Sequence, residues 1–236
     1  MDDYLTRTEM LIGKDAVERL TRSRVAVFGL GGVGGYVTEA LARTGVGNLD
    51  LIDSDTVASS NLNRQIIATR DTVGVKKTEV MKRRVLSINP ECNIRTWDLF
   101  YLPETRDKFN FSDYDYVVDA VDTVAAKLSL IEEAQKTGTR IISSMGAGNK
   151  LDATLFRVAD IYSTSVDPLA RVIRTECRKR GIKKLKVVYS TEKPITPLFT
   201  EETSSRRSTP ASIAFIPSVC GLIIAGEVIK DLIEAQ

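Results

Sequence analysis

The chain has 236 residues, of which 43% are hydrophobic and 27% are charged, with a formal net charge of +2, as in an ordinary folded protein with a substantial core. It contains no histidine, which excludes Ser-His-Asp hydrolysis and most zinc chemistry. Its three cysteines form no CxxC pair, and no apolar run is typical of a signal peptide or a membrane span, so we expect a cytoplasmic protein with no membrane partner.

Apolar, β-branched runs separated by helical patterns predict alternating strands and helices in the first part of the chain. Buried strands are predicted at 24–29 and 49–53, with an amphipathic helix between them. Two more are predicted at 114–122 and 140–145, separated by a helix over 123–137. Because strands that alternate with helices pair in parallel, we predict an α/β fold with a doubly wound, mainly parallel, Rossmann-like sheet.

The regular alternation of strands and helices ends in the last third of the chain, where a C-terminal extension of strands and helices is predicted. Strands at 153–161 and 185–190 flank a helix that Pro168 opens and Gly181 closes. An apolar helix over about 217–234 ends the fold.

A long mobile loop is predicted at 192–210, because this stretch holds three prolines and many Ser and Thr residues. We predict one domain over 1–236. Within it, a nucleotide-binding part covers about 20–150, and a part that faces the substrate covers about 151–236.

The motif GLGGVG at 29–34 follows a predicted strand and opens a predicted helix. Its four glycines are Gly29, Gly31, Gly32 and Gly34. In this context they let the backbone approach phosphates, while the helix N-terminus offers free N–H groups to negative charge. Asp53, at the end of the next strand, is placed to accept hydrogen bonds from ribose hydroxyls. The motif alone also fits NAD, FAD, or a tight turn that binds nothing.

The residues beyond the second strand favour ATP over a dinucleotide. Asn61, Arg64 and Gln65 follow that strand, and Lys77 adds a second positive charge. A triphosphate carries about four negative charges and needs such partners, whereas the glycine turn already holds the two phosphates of a dinucleotide. Asp122, at a strand end, is placed to hold the accompanying Mg²⁺. Taken singly, these residues also fit solvated charges and a helix N-cap, so an oxidoreductase and a nucleotide sensor remain alternatives.

The motifs GLGGVGG, DSDTVASSNLNRQ, GVKKTEV, NPEC and DAVDT resemble those of the ThiF/MoeB superfamily, the adenylating relatives of ubiquitin-activating enzymes. The resemblance implies that a carboxylate is activated as an acyl adenylate, with release of pyrophosphate. It assigns to the ATP site the four glycines together with Asp53, Asp55, Asn61, Arg64, Gln65, Lys77 and Asp122. It also implies that Asp122 binds Mg²⁺ and that Arg7 reaches into the ATP site of a neighbouring subunit, which predicts a homodimer.

The absence of histidine agrees with this chemistry. An ionised carboxylate is already a nucleophile toward the α-phosphate, so the first step needs orientation and charge neutralisation rather than a strong base. The predicted catalytic residues are Arg7, Arg64, Lys77 and Asp122.

Two branches of the superfamily compete. One activates the C-terminal glycine of a ubiquitin-like carrier protein and usually carries two CxxC pairs and a reactive cysteine. This chain lacks the pairs, and Cys177 and Cys220 lie in predicted helices, where buried small side chains are expected.

The other branch is the tRNA threonylcarbamoyladenosine dehydratase group (TcdA/CsdL), which the segments SSMGAGNKLDAT, 159–194 and SIAFIPSVCGLIIAGEVIKDLI resemble more specifically. It implies ATP-dependent cyclisation, a dehydration, of threonylcarbamoyladenosine in tRNA. The carboxylate is adenylated, a urea atom of the same nucleoside attacks the activated carbonyl, and AMP leaves. We favour this branch, and leave open a sulfur-transfer accessory protein as a partner and a monovalent cation as a further cofactor.

Positive charge is concentrated in one segment. Residues 171–186 hold eight of the 33 basic residues and one acidic residue, so the rest of the chain has a net charge of −5. Such a cluster predicts contacts with tRNA phosphates, although a solvated helix face would have the same sequence. The predicted tRNA contacts are Arg171, Arg174 and Arg178, which share one helix face, with Lys179, Arg180, Lys183, Lys184 and Lys186, and with Arg206 and Arg207 in the predicted loop.

Overall fold

A single seven-stranded sheet forms the centre of the computed structural model, which describes residues 3–199 and 210–234. The strands are β1 (Arg24–Phe28), β2 (Asn48–Ile52), β3 (Asn93–Trp97), β4 (Tyr116–Asp119), β5 (Arg140–Ser144), β6 (Phe156–Asp160) and β7 (Lys186–Ser190). Their order across the sheet is β3-β2-β1-β4-β5-β7-β6. All neighbours pair in parallel except β6 and β7, which are antiparallel. The predicted doubly wound, mainly parallel α/β sheet is therefore confirmed.

Helices cover both faces of this sheet. The α-helices are α1 (Thr6–Ile12), α2 (Lys14–Arg22), α3 (Gly34–Arg43), α4 (Lys77–Ile88), α5 (Val124–Thr137), α6 (Pro168–Lys179) and α7 (Phe215–Glu234). Short 3-10 helices occur at Asp3–Leu5, Ser59–Asn61, Arg70–Thr72, Pro103–Lys108, Phe111–Asp113, Ala153–Leu155 and Ile161–Ser163. None of the described helices combines the length and the apolar character that a membrane crossing requires.

The side chains of β1 alternate between two apolar cores. Val25 and Val27 pack with α3, α4 and α7 on one face, whereas Ala26 and Phe28 pack with α5 on the other. The Phe28 ring lies 4.9 Å from the Tyr101 ring, measured between centroids. Because both faces of the central strands are covered, these strands are mostly buried and apolar, which is why their sequence signal is strong.

The observed elements differ from the predicted ones where the sequence pattern is weak, at an edge strand and at the ends of elements. No strand is predicted at 93–97, because β3 is an edge strand whose side chains are mostly exposed. β4 ends at Asp119, so Asp122 lies three residues beyond it rather than at its last position. The start of the strand predicted at 153–161 is a 3-10 helix, and α7 begins at Phe215 rather than at 217.

The C-terminal part of the chain extends the same sheet and core. β5 pairs with β7, and α7 packs so closely on the start of α3 that a Cβ added at Gly221 would lie 2.5 Å from the carbonyl oxygen of Val33. Asp167 caps α6 by accepting a hydrogen bond from the N–H of Ala170 at 2.9 Å, and Pro168 opens that helix as predicted. Of the loop predicted at 192–210, residues 200–209 lie outside the described part of the chain, and the division of the domain near residue 150 stays a prediction.

Candidate active site

A cavity of about 400 Å³ lies at the carboxyl ends of the central strands. The strand order reverses between β1 and β4, and open α/β sheets bind their ligands in the crevice at such a reversal. The predicted nucleotide-site residues that line this cavity are Gly29, Gly31, Gly32, Asp53, Asp55, Asn61, Arg64, Gln65, Lys77 and Asp122. The fold therefore brings together ten residues that are spread over almost a hundred positions of sequence.

The glycine turn packs too closely for side chains at two of its positions. Gly29 has a φ of 89°, and a Cβ there would lie 2.7 Å from the carbonyl oxygen of Ala120. A Cβ at Gly34 would lie 1.8 Å from the carbonyl oxygen of Gly29, and Gly34 does not line the cavity. Gly34 thus allows the close packing of α3 against the turn, whereas Gly31 and Gly32 form the wall.

Asp53 holds the glycine turn in place and positions a buried lysine. Its Oδ2 accepts a hydrogen bond from the N–H of Leu30 at 2.7 Å, and its Oδ1 accepts one from the N–H of Asp55 at 2.9 Å. The side chain of Lys77 is 7% exposed, and its Nζ lies 2.8 Å from Asp55 Oδ2 and 4.0 Å from Asp53 Oδ1. A positive charge is therefore fixed at the cavity wall by two carboxylates.

The polar residues after β2 present further hydrogen-bonding groups. Gln65 is buried, and its Oε1 has no hydrogen-bond partner among the described residues. Arg64 is half-buried, and its Nη1 donates to the carbonyl oxygen of Ser60 and to Asn63 Oδ1, both at 2.8 Å. Asn61 Oδ1 accepts the N–H of Ala58 at 3.1 Å. The unpaired amide oxygen of Gln65 is a group that a bound molecule with a hydrogen-bond donor would satisfy.

Asp122 stands exposed beside the cavity. The N-cap position of α5 belongs to Thr123, so the helix-cap alternative for Asp122 is wrong. Its Oδ1 accepts a hydrogen bond from Thr123 Oγ1 at 3.4 Å. The described residues contain no cluster of three or more side chains able to hold a metal ion. A metal ion at Asp122 would thus need most of its ligands from a bound molecule and water, as Mg²⁺ commonly does.

The sequence does not predict a buried ion pair that lies next to the cavity. Asp119 and Lys127 are both 0% exposed, and Lys127 Nζ lies 3.0 Å from both Asp119 oxygens. Lys127 also donates to the carbonyl oxygen of Ser144 at 2.7 Å, and Ser143 Oγ donates to Asp119 Oδ2. Ala120 and Ala126, next to the pair in sequence, line the cavity. The only sequence signal was the first aspartate of DAVD, and no spacing rule links it to a lysine eight residues later.

The basic segment divides into paired and unpaired side chains. Lys186 is half-buried and lies 2.7 Å from Asp231 and 3.2 Å from Glu227, both on α7. Its burial lowers the pKa of its amino group, but the two carboxylates outweigh burial and the pKa is raised. Lys186 therefore faces the acidic residues of α7, whereas its predicted contact with tRNA stays a prediction.

Several basic side chains of α6, and that of Arg180 just after it, also have intramolecular partners. Arg174 Nη1 donates to the carbonyl oxygen of Thr164 at 2.9 Å, and the Arg178 guanidinium lies 5.4 Å from the centroid of the Tyr162 ring. Lys179 and Arg180 both pair with Glu176. By contrast, within residues 3–199 and 210–234, no ion pair is formed by Arg171, Lys183 or Lys184, all of which are exposed. The predicted contacts Arg206 and Arg207 lie outside the described residues.

Arg7 and the cysteines lie away from the cavity wall. Arg7 is exposed on α1, close to Met10 and Leu11, which are 82% and 84% exposed. All three cysteines are buried, as predicted for Cys177 and Cys220. Burial raises the pKa of the Cys177 thiol to about 11 and that of Cys220 to about 12, so neither is poised to act as a thiolate.

Comparison with known proteins agrees with this geometry. A 46% identical relative, the tRNA threonylcarbamoyladenosine dehydratase of Bacillus subtilis, matches 97% of this chain and 94% of its own length. The crystal structure of the Escherichia coli tRNA N6-threonylcarbamoyladenosine dehydratase, TcdA, in complex with ATP has a TM-score of 0.90 and 33% identity, and covers 98% of this chain and 94% of that one. An adenylyltransferase and sulfurtransferase, UBA4 of Candida glabrata, is 32% identical over 70% of this chain but only 39% of its own length. The ThiF family model matches residues 5–236, and the chain therefore belongs to the ThiF family.

Proposed function

We propose that this protein catalyses the ATP-dependent dehydration of threonylcarbamoyladenosine in tRNA, by adenylating its carboxylate and closing a ring. One observation carries the proposal. The cavity has a glycine turn and a buried lysine on its wall and an exposed carboxylate beside it, and the chain is 46% identical to a dehydratase of that name over nearly its whole length.

In the first step, an oxygen of the threonyl carboxylate attacks the α-phosphorus of ATP. The bond between the α-phosphorus and the bridging oxygen breaks, and pyrophosphate leaves with the electron pair. The backbone at Gly31 and Gly32 permits close approach of the phosphates, and Lys77 and Arg64 balance the charge that builds on the leaving group. Because Asp55 and Asp53 already hold Lys77, its ammonium group needs little reorganisation during the reaction.

In the second step, a urea atom of the same nucleoside attacks the activated carbonyl carbon. The bond from that carbon to the AMP oxygen breaks, the urea group loses one proton, and the net change is loss of one water. The reaction requires no thiol, which agrees with the burial and the raised pKa of Cys177 and Cys220. It transfers no sulfur, so a sulfur-transfer partner is not part of the proposal, and neither is a monovalent cation.

Asp122 is the residue proposed to hold Mg²⁺. Its carboxylate is exposed beside the cavity and caps no helix, which fits a cation that takes one or two carboxylates and fills its other positions with phosphate oxygens and water. When bound, Mg²⁺ would neutralise phosphate charge. The remaining chemistry described above depends on the residues of the chain.

We infer that the protein acts as a homodimer in the cytoplasm. The exposed face of α1 carries Arg7 together with Met10 and Leu11, so the arginine stands beside apolar side chains that a second copy of the chain could cover. In this arrangement Arg7 would reach the phosphates in the neighbouring subunit.

The proposed tRNA surface centres on Arg171, Lys183 and Lys184. These three side chains are exposed and form no ion pair with the described residues, so they can contact tRNA phosphates without first breaking an internal pair. Lys179, at the end of α6, would have to exchange Glu176 for a phosphate, and Arg180, which follows that helix, would have to exchange Glu176 and Glu132.

The test is nucleoside mass spectrometry of tRNA that bears threonylcarbamoyladenosine, after incubation with the protein, ATP and Mg²⁺. Loss of one water that requires ATP supports the proposal. Lys77→Met should abolish this loss, whereas the matched control Lys76→Met should retain it, because Lys76 is exposed and lies outside the cavity wall. Bound ATP with no change in nucleoside mass would instead favour activation of a glycine-tailed carrier protein.

A further inference from the structure

One wall of the cavity comes from a segment near the far end of the chain. Pro210 and Ser212 line the cavity beside Ala147 and Gly148. Gly148 lies so close to this segment that an added Cβ would be 2.6 Å from the Cβ of Pro210. Residues 210–212 belong to no helix or strand, so other contacts must fix their position.

Asn149 supplies most of those contacts. Its N–H donates to the carbonyl oxygen of Ala211 at 2.7 Å, and its Oδ1 accepts the N–H of Ala211 at 2.7 Å. Its own carbonyl oxygen accepts the N–H of Ile195 at 2.8 Å. Its φ of 59° is left-handed, a conformation that asparagine adopts more readily than most residues. Asn149 thus binds both ends of the segment 195–211.

Asn63 holds the same wall from its other side. Its Nδ2 donates to the carbonyl oxygen of Ser212 at 3.0 Å, and its Oδ1 accepts from Arg64 at 2.8 Å. The wall is therefore connected by hydrogen bonds to Arg64, a predicted phosphate ligand. The two asparagines contact consecutive residues, Ala211 and Ser212, and leave this short segment little freedom.

We propose that Asn149 is a positioning residue that sets the wall at 210–212 against which the tRNA nucleoside binds. This inference rests on the proposed function. The topology distinguishes the nucleoside from ATP: Asp53 and Lys77 stand beyond the end of β2, whereas Ala147 to Asn149 follow β5, on the opposite side of the central pair β1 and β4. With the ribose and phosphates of ATP on the β2 side and over the glycine turn, the β5 side receives the carboxylate that is activated.

The experiment removes the hydrogen bond from the N–H of Ala211 to Asn149 Oδ1, once by changing the acceptor and once by changing the donor. Asn149→Gly keeps a left-handed backbone accessible and removes the Oδ1 acceptor, whereas Ala211→Pro removes the N–H donor of the same bond. Each single variant should raise KM for the tRNA about fivefold, the factor expected for the loss of one ordinary hydrogen bond, and leave kcat and KM for ATP nearly unchanged. The double variant should be no worse than either single one, because all three lack the same bond.

Three results would overturn the inference: an unchanged KM for tRNA, an equal rise of KM for ATP, or single effects that multiply in the double variant. ATP binding by fluorescence titration identifies a variant that has not folded, and the other single variant then decides. A wild-type protein with no turnover overturns the proposed function and this inference with it. Wild-type turnover that neither variant alters overturns the inference alone.

Discussion

Two aspartates three residues apart should have opposite phenotypes when they are removed. Asp122 is exposed beside the cavity and accepts one long hydrogen bond, of 3.4 Å, from Thr123. Asp119 is 0% exposed and forms an ion pair with Lys127, which is also 0% exposed. We therefore expect Asp122→Ala to affect turnover with little effect on the fold, and Asp119→Ala to affect the fold directly.

The structure sets the size of each effect. Loss of an exposed side chain with one weak contact costs about 0.5 kcal/mol of unfolding free energy or less. Removal of Asp119 leaves the buried ammonium of Lys127 without a counter-charge, which costs about 3–5 kcal/mol. For a domain of this size each kcal/mol lowers Tm by about 2–4 °C, so Asp119→Ala should melt roughly 6–20 °C below the wild type. Asp122→Ala should lose kcat on the order of 10²-fold or more, because the carboxylate proposed to hold the phosphate-neutralising Mg²⁺ is gone.

Thermal unfolding and the water-loss assay on the same preparations test this contrast. Asp122→Asn keeps the size of the side chain and is the matched control: it should melt like the wild type and still lose turnover. A Tm for Asp122→Ala as low as that of Asp119→Ala would refute the structural reasoning. Nearly normal turnover of Asp122→Ala with saturating Mg²⁺ would refute the proposed role of this carboxylate.

Three further predictions concern the charged surface. Arg7→Ala should lower turnover. If Arg7 acts across a dimer interface, mixing this variant with Asp122→Ala should restore part of the activity. No restoration would place Arg7 in its own subunit's site or outside any site. Replacing Lys183 and Lys184 by Gln should weaken tRNA binding and reduce the slope of log K against log salt by about two, whereas Lys186→Gln should change neither, and equal effects would contradict the pairing seen in the structure. Burial raises the pKa of the Asp231 carboxyl, but the hydrogen bonds from Lys186 and Tyr116 and the charges of Lys186 and Arg140 together outweigh burial, and the pKa is lowered. The charged carboxylate therefore stabilises the fold above the ordinary carboxyl pKa, and this contribution is lost as the pH falls through the lowered value. Lys186→Gln should flatten that acid dependence in urea unfolding, and an unchanged pH profile would contradict the assignment.

The nucleotide half of the site could be predicted because its signals are local. The glycine turn, Asp53 and the polar stretch after β2 each lie at a strand end, and parallel strands bring their carboxyl ends to one edge of the sheet. Even there, the role of Gly34 was not readable. Its glycine character follows from an approach of 1.8 Å to Gly29, which depends on how α3 docks.

Residues whose roles depend on contacts between distant segments could not be found in this way. Lys127 looks like one charge on an amphipathic helix, and its burial follows only from the packing of α5 over Asp119. Asn149 contacts a residue 62 positions later. Lys186 looks like part of a basic run, because a sequence records its charge and not the acidic residues of α7 that it meets. In each case the role of the residue follows from the distant residue that it contacts, and not from its own type or its neighbours in sequence.

The distribution of ionisable groups indicates where the chemistry can occur. The chain has no histidine to act as an acid or base, and each of its three thiols is buried with a raised pKa, which disfavours the thiolate that covalent catalysis needs. What remains at the cavity is charge: Lys77 held by two carboxylates, Arg64 held by Asn63, and the exposed carboxylate of Asp122. Such a site can assist a reaction whose nucleophile is already ionised and whose leaving groups are good, and adenylation of a carboxylate meets both conditions. Turnover should therefore fall strongly when the charge at Lys77, Arg64 or Asp122 is removed by substitution, and should change little when any cysteine is replaced by alanine.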